Sequence, residues 1–205
     1  KAGCWLIAFG VEKGDDASLE AINKKATADQ ARKALRMTRE AGIQRSMYLL
    51  FGLPEDRIET LRNDVEFAKE LDPDFLEIFY PYPFPGTPLY REAVTKGLLE
   101  DGTIPKEAYG LPAMPTKHIG MAELAKLRTR GLREFLLRLR GEGRCVIFSS
   151  HIMQEVAALC DRIVVIAKGQ VVAQGTPDEL RERSGEANLE DAFVQLIGSE
   201  EGMGA

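Results

Sequence analysis

Three short apolar runs, at residues 5–9, 47–51 and 75–80, are separated by two segments whose apolar residues recur every three or four positions. In the first of these segments Thr27 and Gln30 have capping-box spacing, Ala31, Ala34, Leu35 and Ala41 share one helical face, and Gly42 supplies a stop. In the second, Ile58, Leu61, Val65, Ala68 and Leu71 line one face ahead of Pro73. Strand, helix, strand, helix, strand with short connections predicts parallel βα units wound in one hand. The first part of the chain is therefore expected to be a piece of an α/β sheet or barrel.

The pattern changes after residue 80. Residues 81–115 carry many prolines and glycines and predict loops with a short helix near 89–96. Leu124, Leu127, Leu132, Phe135, Leu136 and Leu139 then predict one long helix over 121–140, in which Gly131 is a weak point costing roughly 1 kcal/mol relative to alanine. Further on, the expectation is a strand at 145–149, a helix at 152–160, and a hairpin of 163–167 with 171–173 turning at Lys168 and Gly169. Thr176, Pro177 and Glu179 suit a helix start in three ways, and Asn188 caps a last helix carrying Leu189, Ala192, Phe193 and Leu196. From Gly198 onward the chain is expected to fray, with 199–205 as a disordered tail.

Composition narrows the functional classes. With 205 residues, 44% of them hydrophobic, the chain can bury a real core, and its net charge of -5 argues against a general nucleic-acid surface. The basic stretch over 128–144 is expected to be a solvated helix face. No apolar run approaches the roughly 18 residues needed to cross a bilayer, so direct membrane insertion is not expected and a cytoplasmic location is. Cys4, Cys145 and Cys160 form no C-x-x-C pair and are expected to be reduced, mostly buried thiols. The chain opens on Lys1 and is expected to be a fragment.

Two sets of motif residues carry chemistry. The first is Gly3-Cys4-Trp5-Leu6-Ile7-Ala8-Phe9-Gly10-Val11-Glu12-Lys13-Gly14, followed by Asn23-Lys24, Phe51-Gly52-Leu53-Pro54-Glu55 and Pro83-Phe84-Pro85-Gly86-Thr87-Pro88-Leu89-Tyr90. Glu12 falls just past a strand's carboxyl end, where α/β folds gather ligand groups, and a carboxylate can accept both hydroxyls of a ribose. Gly52 and Pro54 allow backbone to pass close to a ring and hold it stiffly. In order and spacing, these segments resemble the later half of a radical S-adenosylmethionine barrel, of the kind associated with cobalamin-binding domains. The resemblance implies that Glu12, Gly52 and Pro54 contact S-adenosylmethionine. It also implies a four-iron, four-sulfur cluster on a C-x-x-x-C-x-x-C loop. That spacing does not occur in the sequence, so the first strands and the cluster loop are expected upstream of Lys1.

The second set is Gly143-Arg144-Cys145-Val146-Ile147-Phe148-Ser149-Ser150-His151, with Met153-Gln154-Glu155-Val156, Leu159-Cys160-Asp161-Arg162, Gln174-Gly175-Thr176-Pro177-Asp178-Glu179-Leu180 and Asn188-Leu189-Glu190-Asp191-Ala192-Phe193. A histidine just after a strand can reach a γ-phosphate and sense it. These segments resemble the carboxyl-terminal part of an ABC transporter ATP-binding subunit of the sodium- or drug-export type. The resemblance implies that His151 is a switch histidine, with ATP and Mg2+ as cofactors and a membrane permease as partner of that parent. The G-x-x-x-x-G-K-[ST] loop that would cradle the phosphates does not occur.

The combined expectation is an α/β chain in which a partial radical-SAM βα barrel of about three units, over 1–127, is joined by a helix to an α/β tail from a P-loop ABC ATPase, over 128–198. Such a hybrid would hold no complete active site, would bind none of these cofactors tightly, and would self-associate through exposed sheet edges. Two alternatives stay open: a radical-SAM oxidoreductase or methyltransferase whose cluster loop lies upstream, and a nucleotide-responsive accessory module that docks on an ABC ATPase.

Overall fold

The computed structural model describes residues 3–105, 111–147 and 153–201. It divides the chain into two units, Lys1–Arg138 and Leu139–Ala205.

In the first unit, β1 (Leu6–Glu12) leads through α1 (Asp16–Ala21) and α2 (Ala28–Glu40) to β2 (Gln44–Leu50). Then α3 (Ile58–Leu71), β3 (Phe75–Phe79), α4 (Pro88–Thr95) and α5 (Met121–Gly141) follow. The predicted capping box of α2 forms, with Thr27 Oγ1 accepting from the Gln30 N–H and the Gln30 side chain accepting from the Thr27 N–H. The short α1 was not foreseen: Asp15 caps it by accepting from the Ser18 N–H at 2.8 Å.

The three strands form one parallel sheet in the order β1-β2-β3, as the βα pattern requires. Because side chains alternate across a strand, Met47, Leu49 and Ile78 point to one face, where they pack with Leu35 of α2, Leu61 and Val65 of α3, and Leu124 and Leu127 of α5. The register puts Leu6, Ala8 and Gly10 of β1 beside Ser46, Tyr48, Leu50, Phe75, Glu77 and Phe79 on the opposite face. That face is the open one: Phe75 and Phe79 are exposed, and Tyr48 meets Phe79 edge-on with ring centroids 5.4 Å apart.

Gly131 is more than a weak point in α5. A Cβ there would lie 2.8 Å from Val65 Cγ2, so the glycine is what lets α5 approach α3 closely. From the same helix Arg128 donates through Nε to the carbonyl of Ile78 at 2.6 Å, which covers part of the outer edge of β3.

The second unit holds its own core. It contains α6 (Met153–Leu159), an antiparallel hairpin of β4 (Ile163–Ala167) and β5 (Gln170–Gly175), α7 (Pro177–Ser184) and α8 (Leu189–Glu201). Val156, Val165, Val172, Leu180, Leu189 and Leu196 are buried together. The hairpin turns at Lys168 and Gly169 as expected, both with positive φ. The capping box at Thr176 and Glu179 also forms, with Pro177 in the first turn.

Two expectations need correction. Residues 145–147 are not in a strand, and residues 148 and 149 of that expected strand lie outside the described residues. At the carboxyl end α8 runs to Glu201, with Leu196 buried, and residues 202–205 of the expected tail lie outside the described residues. The thiols are not mostly buried: Cys4 and Cys145 are exposed and Cys160 is intermediate. Cys4 precedes the edge strand β1, where the sheet buries little.

Candidate functional site

All three strands of a parallel sheet end at the same side, so Glu12, Gly52 and the residues after Phe79 share the carboxyl edge of the sheet. The register slips between Gly10 and Glu12, leaving Val11 as an extra residue at the end of β1. Such a bulge re-aims the side chains beyond it. Glu12 itself has φ 71, a left-handed conformation that costs a non-glycine residue of order 1 kcal/mol or more.

The consequence is visible at Gly10. A Cβ there would lie 2.6 Å from Glu12 Oε1 and 3.4 Å from Lys24 Nζ, so the carboxylate folds back over Gly10 on the open face. Lys24 donates to Glu12 Oε1 at 3.1 Å, and the Glu12 side chain keeps 20% of its exposure. Tyr48 is the partner of Gly10 on β2 and stands on the same face. A partly exposed carboxylate on the face that also carries Tyr48, Leu50 and Phe79 can accept hydrogen bonds from a polar ligand edge while apolar side chains of that face meet its flat side.

Behind Glu12 the chain turns inward. Lys13 is fully buried, with Nζ 2.9 Å from Asp56 Oδ1 and 2.6 Å from Asp64 Oδ2. Asp56 Oδ2 accepts from the Gly52 and Leu53 N–H groups at 2.9 and 3.0 Å, and Asp64 Oδ1 accepts from the Gly14 N–H at 2.7 Å. Two carboxylates share one ammonium. Burial opposes the charge on Lys13, yet Asp64 and Asp56 outweigh it and hold the lysine above its ordinary value. Burial pushes the Asp64 carboxyl up to about 6, against the pull of Lys13 and the Gly14 N–H.

Gly52 and Pro54 are both buried. Gly52 has φ +97, and a Cβ on it would sit 3.3 Å from Leu124 Cδ1 of α5. The Pro54 carbonyl accepts from the Lys117 N–H at 2.9 Å. Thus Glu12 is offered to solvent, while Gly52 and Pro54 shape the turn behind it. Glu55 faces away from this edge in its bonding: its pKa is lowered by a hydrogen bond from Lys96, consistent with a surface charge at a helix entry. His151 lies outside the described residues. Sequence reasoning missed Lys13, Asp56 and Asp64, whose signal, a lysine after a strand and two aspartates eight residues apart, does not differ from that of solvated charges.

Glu12, folded over Gly10 and paired with Lys24, is the partly accessible carboxylate of this edge. An iron–sulfur cluster does not fit these residues: Cys4 precedes β1, at the other end of the strand from Glu12, and no metal-binding cluster of His, Cys, Asp or Glu occurs among the described residues.

No family model matches the chain. It is 29% identical over 138 residues, 67% of its length, to an uncharacterized methyltransferase of Pyrococcus horikoshii, of which it covers 30%. It is also 40% identical over 65 residues to the ABC transporter ATP-binding protein NatA of Bacillus subtilis, covering 32% of this chain and 26% of that protein. Among solved structures, the radical S-adenosylmethionine methyltransferase TsrM of Kitasatospora setae, with cobalamin and a [4Fe-4S] cluster bound, matches 63% of this chain and 26% of its own at 23% identity and a TM-score of 0.42. The chain thus spans less than a third of the curated relatives it matches. The chain is similar to a methyltransferase over 67% of its length and to an ABC transporter ATP-binding protein over 32% of it. Among the described residues no helix is long and apolar enough to cross a membrane.

Proposed function

We propose that the first part of this chain is the nucleoside-binding portion of a radical S-adenosylmethionine barrel, joined to an ABC-ATPase-like tail, and that the chain as it stands completes neither reaction. One observation carries the reading. The Glu12 carboxylate, in a left-handed backbone conformation at the carboxyl edge of a parallel sheet, lies over a glycine that leaves room for it and remains accessible.

In this reading Glu12 accepts the two ribose hydroxyls, Tyr48 and Phe79 offer apolar surface to the base, and Gly52 and Pro54 fix the turn that backs the edge. Lys24 pairs with one oxygen of Glu12 and leaves the second for the ligand. In a complete enzyme of this class, S-adenosylmethionine and a reduced cluster supply a radical; this chain's residues orient the nucleoside and carry no step of that chemistry. In the tail, His151 takes the switch position, without the phosphate loop that would hold ATP.

Titration calorimetry with S-adenosylhomocysteine, an unreactive nucleoside, tests the reading. Weak binding that falls by about tenfold or more in Glu12→Gln, the loss of a hydrogen bond to a charged group, supports it. No binding, or equal binding by the variant, overturns it.

A second reading, a longer radical-SAM oxidoreductase or methyltransferase whose cluster cysteines precede Lys1, is favoured by the limited coverage of the methyltransferase relative. Long-read sequencing through the locus separates the two: a continuous frame with an upstream C-x-x-x-C-x-x-C supports the longer enzyme, and two separate loci exclude it.

A further inference from the structure

The charged group buried behind the candidate site is not used by the proposed chemistry, and its cost demands an explanation. An ammonium and two carboxylates taken out of water forfeit their hydration before their attraction is counted, and apolar side chains would commonly stabilise as well. Lys13 follows Glu12 directly and is fully buried. Its three oxygen neighbours come from Asp56 in the loop after β2, Asp64 of α3, and the Leu50 carbonyl at 3.4 Å. The same two aspartates hold the N–H groups of Gly14, Gly52 and Leu53. Every backbone segment that forms the carboxyl edge of β1 and β2 is therefore tied to one ammonium.

We propose that Lys13 is a positioning residue: drawn inward by Asp56 and Asp64, it holds Glu12 in its left-handed conformation over Gly10 and couples it to the turn from Gly52 to Pro54. The assignment rests on the nucleoside reading of Glu12. A side chain pulled fully into the core one residue later fixes the direction in which Glu12 must leave the sheet. The strained φ is maintained because the surrounding bonds over-determine it.

The test uses the full chain, with Lys13→Met and Asp56→Asn. The second variant leaves Lys13 and Asp64 as a neutral pair and guards against an unfolded first one. Amide hydrogen exchange is followed by NMR at Gly14, Gly52 and Leu53, with the central β2 amide of Leu49 as reference, and S-adenosylhomocysteine affinity is measured in parallel. The expected result is exchange about tenfold faster or more at the three edge amides, with Leu49 nearly unchanged, the mark of local rather than global opening. Affinity should fall by a similar factor, to the level of Glu12→Gln. Uniform acceleration across the sheet, unchanged edge amides, or intact affinity in Asp56→Asn where Glu12→Gln has lost it, would each overturn the proposal. Should Glu12→Gln itself bind as the parent does, the nucleoside reading fails, and the exchange pattern alone then decides whether Lys13 anchors the edge.

Discussion

Lys13 Nζ lies 2.6 Å from Asp64 Oδ2, and neither side chain is exposed to solvent. The contact joins the residue after β1 to the middle of α3, fifty-one positions along the chain by number, and Asp56 makes it a group of three with one surplus negative charge. Burial disfavours that surplus, which is why the Asp64 carboxyl is raised rather than lowered beside a lysine.

The raised carboxyl sets a pH dependence. Its value of about 6 in the fold lies above the ordinary 3.8, so between these values the folded chain holds the extra proton. The stability it contributes is fully present below 3.8 and is lost as pH rises through about 6. Chemical denaturation from pH 4 to pH 7 should show the stability of the parent falling relative to Asp64→Asn across that window. Lys13, raised in turn, contributes below its ordinary 10.5 and is not involved there.

Gly10→Ala should remove ligand affinity while sparing the fold. The new methyl would sit 2.6 Å from Glu12 Oε1, the free end of a side chain that can swing away. We expect a stability change of less than about 1 kcal/mol in thermal melts, with loss of S-adenosylhomocysteine binding as large as that of Glu12→Gln.

Gly131→Ala runs against helix propensity. Alanine stabilises a helix interior by about 1 kcal/mol relative to glycine, yet the added Cβ would approach Val65 Cγ2 to 2.8 Å and Ile78 Cδ1 to 3.6 Å. Overpacking of about 1–3 kcal/mol should win, and urea denaturation should show net destabilisation.

Arg128→Ala should uncover the edge of β3. Arg128 Nε occupies the Ile78 carbonyl and the guanidinium lies 5.7 Å from the centre of the Tyr80 ring. Its removal frees an edge acceptor, and sedimentation velocity should show increased self-association compared with the parent.

Thr176→Ala should weaken the second unit by about 1 kcal/mol through loss of its helix cap. Thr176 Oγ1 accepts from the Glu179 N–H at 3.2 Å, and Leu180, one residue on, is buried in that unit's core. Exchange of the α7 amides should quicken, with those of β2 unchanged.

Much of this fold can be read from local pattern. The capping boxes at Thr27 and Thr176, the turn at Lys168 and Gly169, and the apolar face of α3 each depend on residues within a few positions, where spacing and backbone preference act directly. Residues 145–147 open an apolar run yet are not in a strand, because a strand needs a neighbour that its own residues do not specify. Gly131 illustrates the opposite case: locally it is a defect, and only the approach of Val65 makes it a requirement.

Within the candidate site, the place of Glu12 past the end of β1 and of Gly52 and Pro54 in the loop after β2 follows from the βα pattern, whereas the ligand role expected of them came from the family resemblance alone. Local periodicity and capping were enough to set the alternation of β1, α2, β2, α3 and β3, their parallel pairing and the place of Glu12 at the sheet's edge, though not α1. That Glu12 folds over Gly10, and that Lys13, Asp56 and Asp64 meet behind it, follows from packing alone. Attraction between buried charges depends on distance in space and on exclusion of water, and neither is set until helix, loop and strand have packed.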